Sequence, residues 1–229
     1  GHRTRWRESA RQHQQWFLGG RRVLNPAPMP PPSELWPSPL PLWQAAPEAV
    51  AAGLCEQPEG DRSVLSGPWR LLLLGDGSPT RHLQSLTGVA VDVEVIAMEA
   101  DADPGHEAPA EVNELDRPLL RRQVWLRCGS HTLAWAESWW NQGEAERHLQ
   151  ERNQPIWRSL TANRAELYRE VDGLALVEAP ALAAGFGRQG PYWSRHYRFF
   201  RGGRELTVIR EVFSPELEHW LGPAQHTPS

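Results

Sequence analysis

The chain of 229 residues can bury one sizeable core, and its formal net charge of −4 gives no indication of nucleic-acid binding. All 24 basic residues are arginine, which excludes chemistry that needs a lysine, such as a Schiff base, a pyridoxal-phosphate anchor or a P-loop. No apolar run approaches the ~20 residues of a membrane span, and two distant cysteines indicate neither a disulfide framework nor a metal knuckle, so we expect a cytoplasmic protein.

The N-terminal part differs in composition from the rest. Residues 1–28 are rich in arginine, and we expect a non-native or disordered extension, with translation beginning at Met29. A basic, acid-poor N terminus is also typical of an organelle transit peptide. Residues 29–66 are rich in proline and predict extended chain wrapped around the body, with a short helix around Glu48–Leu54. The domain itself is expected to span residues 67–222.

The stretch GDGSPTRHLQSLTG predicts a short helix. Ser78 is a suitable N-cap, proline is favoured at the first helical position, and Gly88 is a suitable stop, so the helix should span Pro79–Thr87. The apolar run Leu71–Leu74 before it fits either a helix or a strand. Alternating valines after it predict a half-buried strand over Val89–Met98.

A β-hairpin is the clearest feature of the middle of the chain. Strands are predicted over Gln123–Arg127 and Leu133–Trp139, joined by a tight turn at Gly129-Ser130. The preceding segment, Glu99–Asp116, is acidic and is expected to be a solvated loop.

The hairpin places one arginine in an apolar setting. A two-residue turn puts Arg122 opposite Glu137 and Val124 opposite Trp135, with Arg122 on the same face as Val124. A guanidinium at the end of an apolar face needs an anion. Either Glu137 is that anion, or a ligand is.

Helices and a loop are predicted between this hairpin and the next. The helical segments are Glu144–Arg152, Pro155–Leu160 and Asn163–Val171. Leu174–Gly190 is expected to be a mobile loop. It contains GFGRQG, but a dinucleotide site is not expected, because no strand precedes the motif and Pro191 follows where a helix should begin.

A second hairpin is predicted near the C terminus. Gly202-Gly203 indicates a turn between strands Arg195–Arg201 and Glu205–Phe213. Counting outward from the turn pairs Tyr197 with Val208 and Phe199 with Leu206. These four residues would then share an ordinary core face.

The other face of this hairpin is mixed and carries Glu211, His196 and Arg198. Glu211 lies between apolar residues, which is typical of a pocket wall. Alternatively, it is a structural charge paired with Arg198 or Arg122. The predicted elements together indicate an α+β fold with a single antiparallel sheet. No metal-ligand spacing is present among the nine histidines, so the residues alone indicate an anion-binding α+β domain.

Several runs together resemble chorismate lyase, particularly its cyanobacterial and plastid branch. They are RRQVWLRCGSHTLAWAESWWN, PIWRSL, RHYRFFRGGRELTVIREVFSP and, upstream, GDGSPTRHLQSLTG, and they cover most of residues 67–215. The resemblance implies an antiparallel sheet with helical flaps over a buried site. It also implies a cofactor-free conversion of chorismate to 4-hydroxybenzoate and pyruvate, the first step toward a plastoquinone or ubiquinone ring, and we expect a monomer without metal.

The resemblance also implies site residues. Arg122 matches the arginine that grips the substrate carboxylate, and Glu211 matches the glutamate that binds the hydroxyl. Two contacts made largely through the backbone fall on Pro79 and Ile156. Proline has no N–H, so the amide of Thr80 is the expected substitute at the first of these contacts.

Two positions depart from the family pattern. Trp157 stands where a glycine is usual, and Glu137 stands where the proteobacterial enzymes have arginine. We expect an enclosed site with Pro155–Leu160 and the turn Gly75–Thr80 as its lid. Two alternatives to the enzyme remain: a non-catalytic module that binds an aromatic acid, and a degenerate family member that serves as an interaction scaffold.

Overall fold

The structure is a computed structural model, and it describes residues 37–51, 55–56, 62–101, 103–105, 107–149 and 168–226. The strands are β1 (Leu40–Ala45), β2 (Cys55–Glu56), β3 (Arg62–Leu65), β4 (Val91–Ala100), β5 (Leu119–Cys128), β6 (His131–Asn141), β7 (Tyr168–Glu178), β8 (Tyr192–Arg201), β9 (Arg204–Phe213) and β10 (Gln225–His226). The α-helices in these ranges are α1 (Pro47–Ala51), α2 (Gly67–Leu74), α3 (Pro79–Thr87), α4 (Gln142–His148), α5 (Pro180–Phe186) and α6 (Glu218–Leu221). Ala110–Glu114 and Pro215–Leu217 are 3₁₀ turns.

One seven-stranded sheet organises the described chain, in the order β1-β7-β8-β9-β6-β5-β4. Every neighbouring pair is antiparallel, which confirms the predicted α+β fold. Helices α2 and α3 pack on one face through Leu72 and Leu83, while α5 packs on the other through Leu182 and Phe186. Strands β10, β3 and β2 form a separate three-stranded sheet.

The strongest turn and helix-cap signals in the sequence are confirmed. Helix α3 has the predicted bounds and ends at Gly88 in the left-handed conformation, φ 73°. The turn at Gly129 also has positive φ, 60°, and joins strands longer than predicted. The ambiguous run Leu71–Leu74 is the second half of α2. Helix α4 begins earlier than predicted because the Asn141 side chain caps it, accepting hydrogen bonds from two backbone amides.

Strand β7 was not predicted. The helix proposed over Asn163–Val171 is wrong from Tyr168 onward, and the loop proposed from Leu174 is wrong as well. The alternating sequence YREVDGLALVE suits a strand buried between two neighbours, and β7 pairs with β1 on one side and β8 on the other. The earlier part of the proposed helix, Pro155–Leu160 and the end of Glu144–Arg152 lie outside the described residues.

The GFGRQG motif ends a helix rather than forming a mobile loop. Gly185 lies in α5, where a Cβ atom would sit 2.5 Å from the ring of Trp125 on the sheet. Gly187 terminates α5 with φ 67°. The glycines therefore permit close helix–sheet packing and helix termination, which accounts for them without a nucleotide.

The register of the first hairpin differs from the prediction by one residue. Arg122 lies opposite Ser138, not Glu137, and Val124 lies opposite Ala136, not Trp135. The cause is an irregularity next to the turn, where Leu126 pairs with Ala134 but Arg127 pairs with Thr132. One extra residue in β6 shifts every partner beyond it.

The second hairpin shows the same effect. Phe199 pairs with Thr207 and Tyr197 pairs with Ile209, because a bulge next to Phe200 takes up one residue of β9. The predicted pairings with Leu206 and Val208 are wrong. Glu211 therefore shares its face with Tyr197, and not with His196 or Arg198.

Segments expected to be peripheral also contribute to the body. Strand β1, from the proline-rich segment, joins the sheet edge, and Trp43 packs edge-on against Trp193 at 5.8 Å. The acidic segment Glu99–Asp116 is not simply a solvated loop, because Val112 and Leu115 are buried against the sheet. None of the helices in the described ranges has the length and apolar character needed to cross a membrane.

Candidate active site

One cavity of about 50 Å³ lies against the sheet face that carries Arg122, Ala136, Tyr197 and Ile209. This face is called the pocket face, and the other is the opposite face. The polar residues that line the cavity are Ser78, Thr80, Arg122, Arg169 and Tyr197. The remaining wall is apolar or aromatic, so a ligand here would meet cations and hydroxyls against a hydrophobic background.

Arg122 reaches the cavity from β5. Its side chain shares the pocket face with Val124 and Leu126, as the sequence predicted, and the residue is only 2% exposed. Its cross-strand partner is Ser138. Pairing of β5 with β4 and β6 fixes its position.

Glu137 is not the anion of Arg122. It lies on the opposite face, where its carboxylate accepts hydrogen bonds from Arg121 Nη2 at 2.6 Å, Arg210 Nε at 2.6 Å and Gln123 Nε2 at 3.0 Å. The Arg121 and Arg210 guanidinium groups also lie over the ring of Trp139, at 5.2 and 5.6 Å. Glu137, which stands where the proteobacterial enzymes have arginine, therefore belongs to a buried ion cluster on the other side of the sheet from the cavity.

Glu211 lies beside the cavity, fully buried. Its cross-strand partner Ala136 lines the cavity, whereas Glu211 does not. Its carboxylate lies 3.4 Å from Arg195 Nε. Glu211 is therefore paired with an arginine, but that arginine is Arg195 and not Arg198 or Arg122, as the alternative predicted. Burial, followed by the neighbouring Glu211 carboxylate, raises the pKa of Tyr197, which keeps this phenol protonated where it meets the cavity.

Arg195 connects Glu211 to the end of helix α2. Its Nη1 donates hydrogen bonds to the carbonyl oxygens of Leu72 at 3.0 Å and Gly75 at 2.9 Å. Carbonyls at a helix C terminus carry partial negative charge, so a buried guanidinium is well placed there. The sequence did not identify Arg195 as a site residue. Counting outward from the hairpin turn assigns partners across the hairpin, but it cannot show that the end of α2 packs against Arg195.

His196 and Arg198 do not join this site. Arg198 holds Asp172 through two hydrogen bonds, at 2.8 and 2.7 Å, on the opposite face. His196 lies near Glu111 and Asp172, and one ligand atom from each of the three lies within 4.8 Å of the others. Arg198 donates to both Asp172 oxygens and His196 Nε2 lies 3.3 Å from Glu111 Oε2, so these residues form an ion-pair network.

The N terminus of α3 forms another wall. Pro79 and Thr80 are buried and line the cavity, and the Thr80 hydroxyl lies 2.8 Å from that of Ser78. Ser78 makes no side-chain cap bond. Thr80, whose amide was expected to substitute for the N–H that Pro79 lacks, therefore lies at the cavity. Ile156 and Trp157, the other positions taken from the resemblance, lie outside the described residues.

Two further residues near the cavity were missed. Arg169 lines it from β7, and His82 of α3 packs against Gly77, where a Cβ atom would sit 2.3 Å from the imidazole Nε2. Burial, with Arg195 and Arg169 nearby, lowers the pKa of His82. The alternation in YREVDGLALVE could have placed Arg169 on a sheet, but a helix was predicted there.

Comparisons with known proteins give relatives in sequence and similar solved structures. An uncharacterized protein, ycf21, from Porphyra purpurea is 32% identical over 157 residues, which covers 66% of this chain and 83% of the relative. The ycf21 protein of Cyanophora paradoxa is 27% identical and covers 77% of this chain and 89% of the relative. Among solved structures, PhnF from Mycobacterium smegmatis is similar at 14% identity and a TM-score of 0.49, over 62% of this chain and 66% of that one.

A family model described as chorismate pyruvate-lyase Rv2949c-like matches residues 73–221. This match includes the whole of the cavity wall that the structure describes, from α3 to β9. Because it spans well over half of the sequence, the chain belongs to the Rv2949c-like chorismate pyruvate-lyase family.

Proposed function

We propose that this protein is a chorismate pyruvate-lyase that converts chorismate to 4-hydroxybenzoate and pyruvate, the first step toward a quinone ring. The observation that carries the proposal is the position of Arg122 and Glu211. Both lie on the pocket face, where Arg122 lines the cavity and Glu211 lies beside it, while Glu137, the expected structural partner of Arg122, lies on the opposite face. Family membership supports the same reaction.

The reaction needs little from the protein beyond position and charge. The C4 hydrogen leaves as a proton, the C3–oxygen bond breaks, and a new C3=C4 bond completes the aromatic ring. The departing enolpyruvate takes up a proton at its methylene carbon and becomes pyruvate. No oxidation occurs, and aromatisation supplies the driving force, so orientation and one carboxylate suffice.

Each residue has a defined role in this proposal. Arg122 grips the ring carboxylate, because its guanidinium fork matches a carboxylate and keeps its charge at any working pH. Glu211 acts at the C4 hydroxyl from the cavity edge, next to Tyr197. The resemblance adds backbone contacts from Thr80, beside Pro79, and from Ile156, which lies outside the described residues.

The test is incubation of the purified protein with chorismate, followed by chromatography for 4-hydroxybenzoate and an assay for pyruvate. The proposal expects equal amounts of both products, loss of turnover in Arg122→Ala, and full turnover in Arg127→Ala. Arg127 is a matched control on the same strand, where it forms an exposed pair with Glu94. Binding of 4-hydroxybenzoate without turnover would instead identify a binding module.

A further inference from the structure

A second arginine, Arg169, lines the same cavity as Arg122. It lies at the start of β7, directly opposite Phe199 of β8, so it faces the pocket side of the sheet. Its Cζ atom lies 4.4 Å from the ring centre of Phe199 and 4.9 Å from that of Tyr197. These rings hold the guanidinium group against the wall of the cavity.

The remaining contacts fix this arginine without neutralising it. Its Nη1 donates a hydrogen bond to the backbone carbonyl of Asp76, in the turn that leads to α3. The Nε atom is buried and has no hydrogen-bond partner within the described ranges. No carboxylate in those ranges forms an ion pair with Arg169, in contrast to Arg121, Arg198 and Arg210. A positioned cation with spare N–H groups at a cavity is suited to an anionic ligand.

We propose that Arg169 binds a second carboxylate, so that the cavity selects a dicarboxylate whose two anionic groups are held by Arg122 and Arg169. This inference rests on the proposed function: in chorismate, the ring carboxylate would meet Arg122 and the carboxylate of the enolpyruvyl side chain would meet Arg169. Burial, followed by the charges of Arg195 and Arg169, lowers the pKa of the neighbouring His82.

The assignment has a consequence for the catalytic cycle. Chorismate carries both carboxylates, but 4-hydroxybenzoate keeps only the one on the ring. Breaking the C3–oxygen bond therefore separates the carboxylate bound by Arg169 from the ring, and the aromatic product keeps only the carboxylate that Arg122 binds. Arg169 thus contributes to substrate affinity and not to product affinity, which limits product inhibition.

The experiment compares Arg169→Gln, Arg169→Lys and Arg122→Gln with wild type and with the control Arg127→Gln. The KM for chorismate and the dissociation constant of 4-hydroxybenzoate are measured for each protein, after thermal denaturation has established that it is folded. Loss of one charge-assisted contact corresponds to roughly 10- to 150-fold in affinity. Arg169→Gln should raise the KM by that factor and leave product affinity within about 3-fold, whereas Arg122→Gln should weaken both.

Arg169→Lys keeps the charge and should lie between wild type and Arg169→Gln, and it serves as the test if Arg169→Gln does not fold. An unchanged KM in the Arg169 variants, or an equal loss of product affinity, would overturn the second-carboxylate assignment while leaving the lyase proposal intact. If wild-type protein neither turns over chorismate nor binds 4-hydroxybenzoate, both proposals fail together.

Discussion

Nε of Arg195 lies 3.4 Å from Oε2 of Glu211, and neither side chain has any exposure to solvent. A buried pair of this kind is costly to break, because the partner that remains is left as an uncompensated charge. The same arginine holds the carbonyls at the end of α2. The pair therefore joins the carboxylate proposed for catalysis to the helix that precedes the Gly75–Thr80 turn.

Replacing only one member of this pair should destabilise the protein more than replacing both. We expect Arg195→Met to lower the free energy of unfolding by about 3–5 kcal/mol. Adding Glu211→Leu should recover part of that loss, since the lone buried charge is then gone. Urea denaturation of the two single variants and the double variant gives the coupling free energy. Additive losses would mean that the two groups do not interact.

Arg122 and Glu211 should respond differently to substitution. Arg122→Ala removes the proposed carboxylate contact and should weaken 4-hydroxybenzoate binding by about 2–5 kcal/mol, or roughly 30-fold to several thousand-fold. Glu211→Gln keeps the shape of the side chain but removes the basic oxygen, so turnover should fall much more than product affinity. Melting temperature, product affinity and turnover are measured together. Normal turnover in folded Glu211→Gln would remove that carboxylate from the mechanism.

Glu137 should matter for stability and not for the ligand. Glu137→Ala leaves the partly buried Arg121 and the buried Arg210 without their shared carboxylate, and the expected loss is about 3–5 kcal/mol. The matched control is Glu94→Ala, which removes an exposed ion pair with Arg127 and should change stability by under about 1 kcal/mol. Denaturation with and without 4-hydroxybenzoate checks both. A stable Glu137→Ala variant that fails to bind product would contradict this assignment.

Gly185 should tolerate no side chain. An added Cβ would lie 2.5 Å from the Trp125 ring, and overpacking of this kind costs roughly 1–3 kcal/mol. Gly67→Ala is the control, because its nearest atom beyond its chain neighbours is 3.9 Å away, at the end of a flexible arginine. Calorimetry should show a lower melting temperature for Gly185→Ala only, with partial rescue by Trp125→Leu. An unchanged melting temperature in Gly185→Ala would exclude the close approach.

Glu205 should make stability depend on pH. Burial, followed by the nearby Glu114 carboxylate, raises the pKa of Glu205 from 4.5 to about 7, against the opposing effect of Arg198. The folded state then binds the proton more tightly than the unfolded state, so stability falls as pH rises from about 4.5 to 7.

Glu205→Gln removes this titration and should raise the melting temperature more at pH 8 than at pH 5. Glu178→Gln, at an exposed position, is the control and should show little difference between the two conditions. The two melting temperatures of each variant, referred to wild type, provide the measurement. An equal effect of Glu205→Gln at both pH values would show that Glu205 titrates alike in the folded and unfolded chain.

The sequence by itself determined the elements that depend on local chemistry. Glycine at the turns beginning at Gly129 and Gly202 is favoured because the backbone there needs positive φ, so both hairpins were predictable. Proline at the first position and glycine after the last turn defined α3 for the same local reason. Arg122 was placed correctly relative to its neighbours on β5, because alternation along one strand does not depend on the partner strand.

The tertiary structure decided which residues meet across the sheet. Side chains alternate with a period of two, so one extra residue in β6 or β9 exchanges every cross-strand partner, and such bulges are set by packing rather than by the turn. Hence Glu137 went to the opposite face and Glu211 to the pocket face. The contacts of Arg195 with α2 and of Arg169 with Asp76 join segments more than 90 residues apart, and only the folded chain brings such groups together.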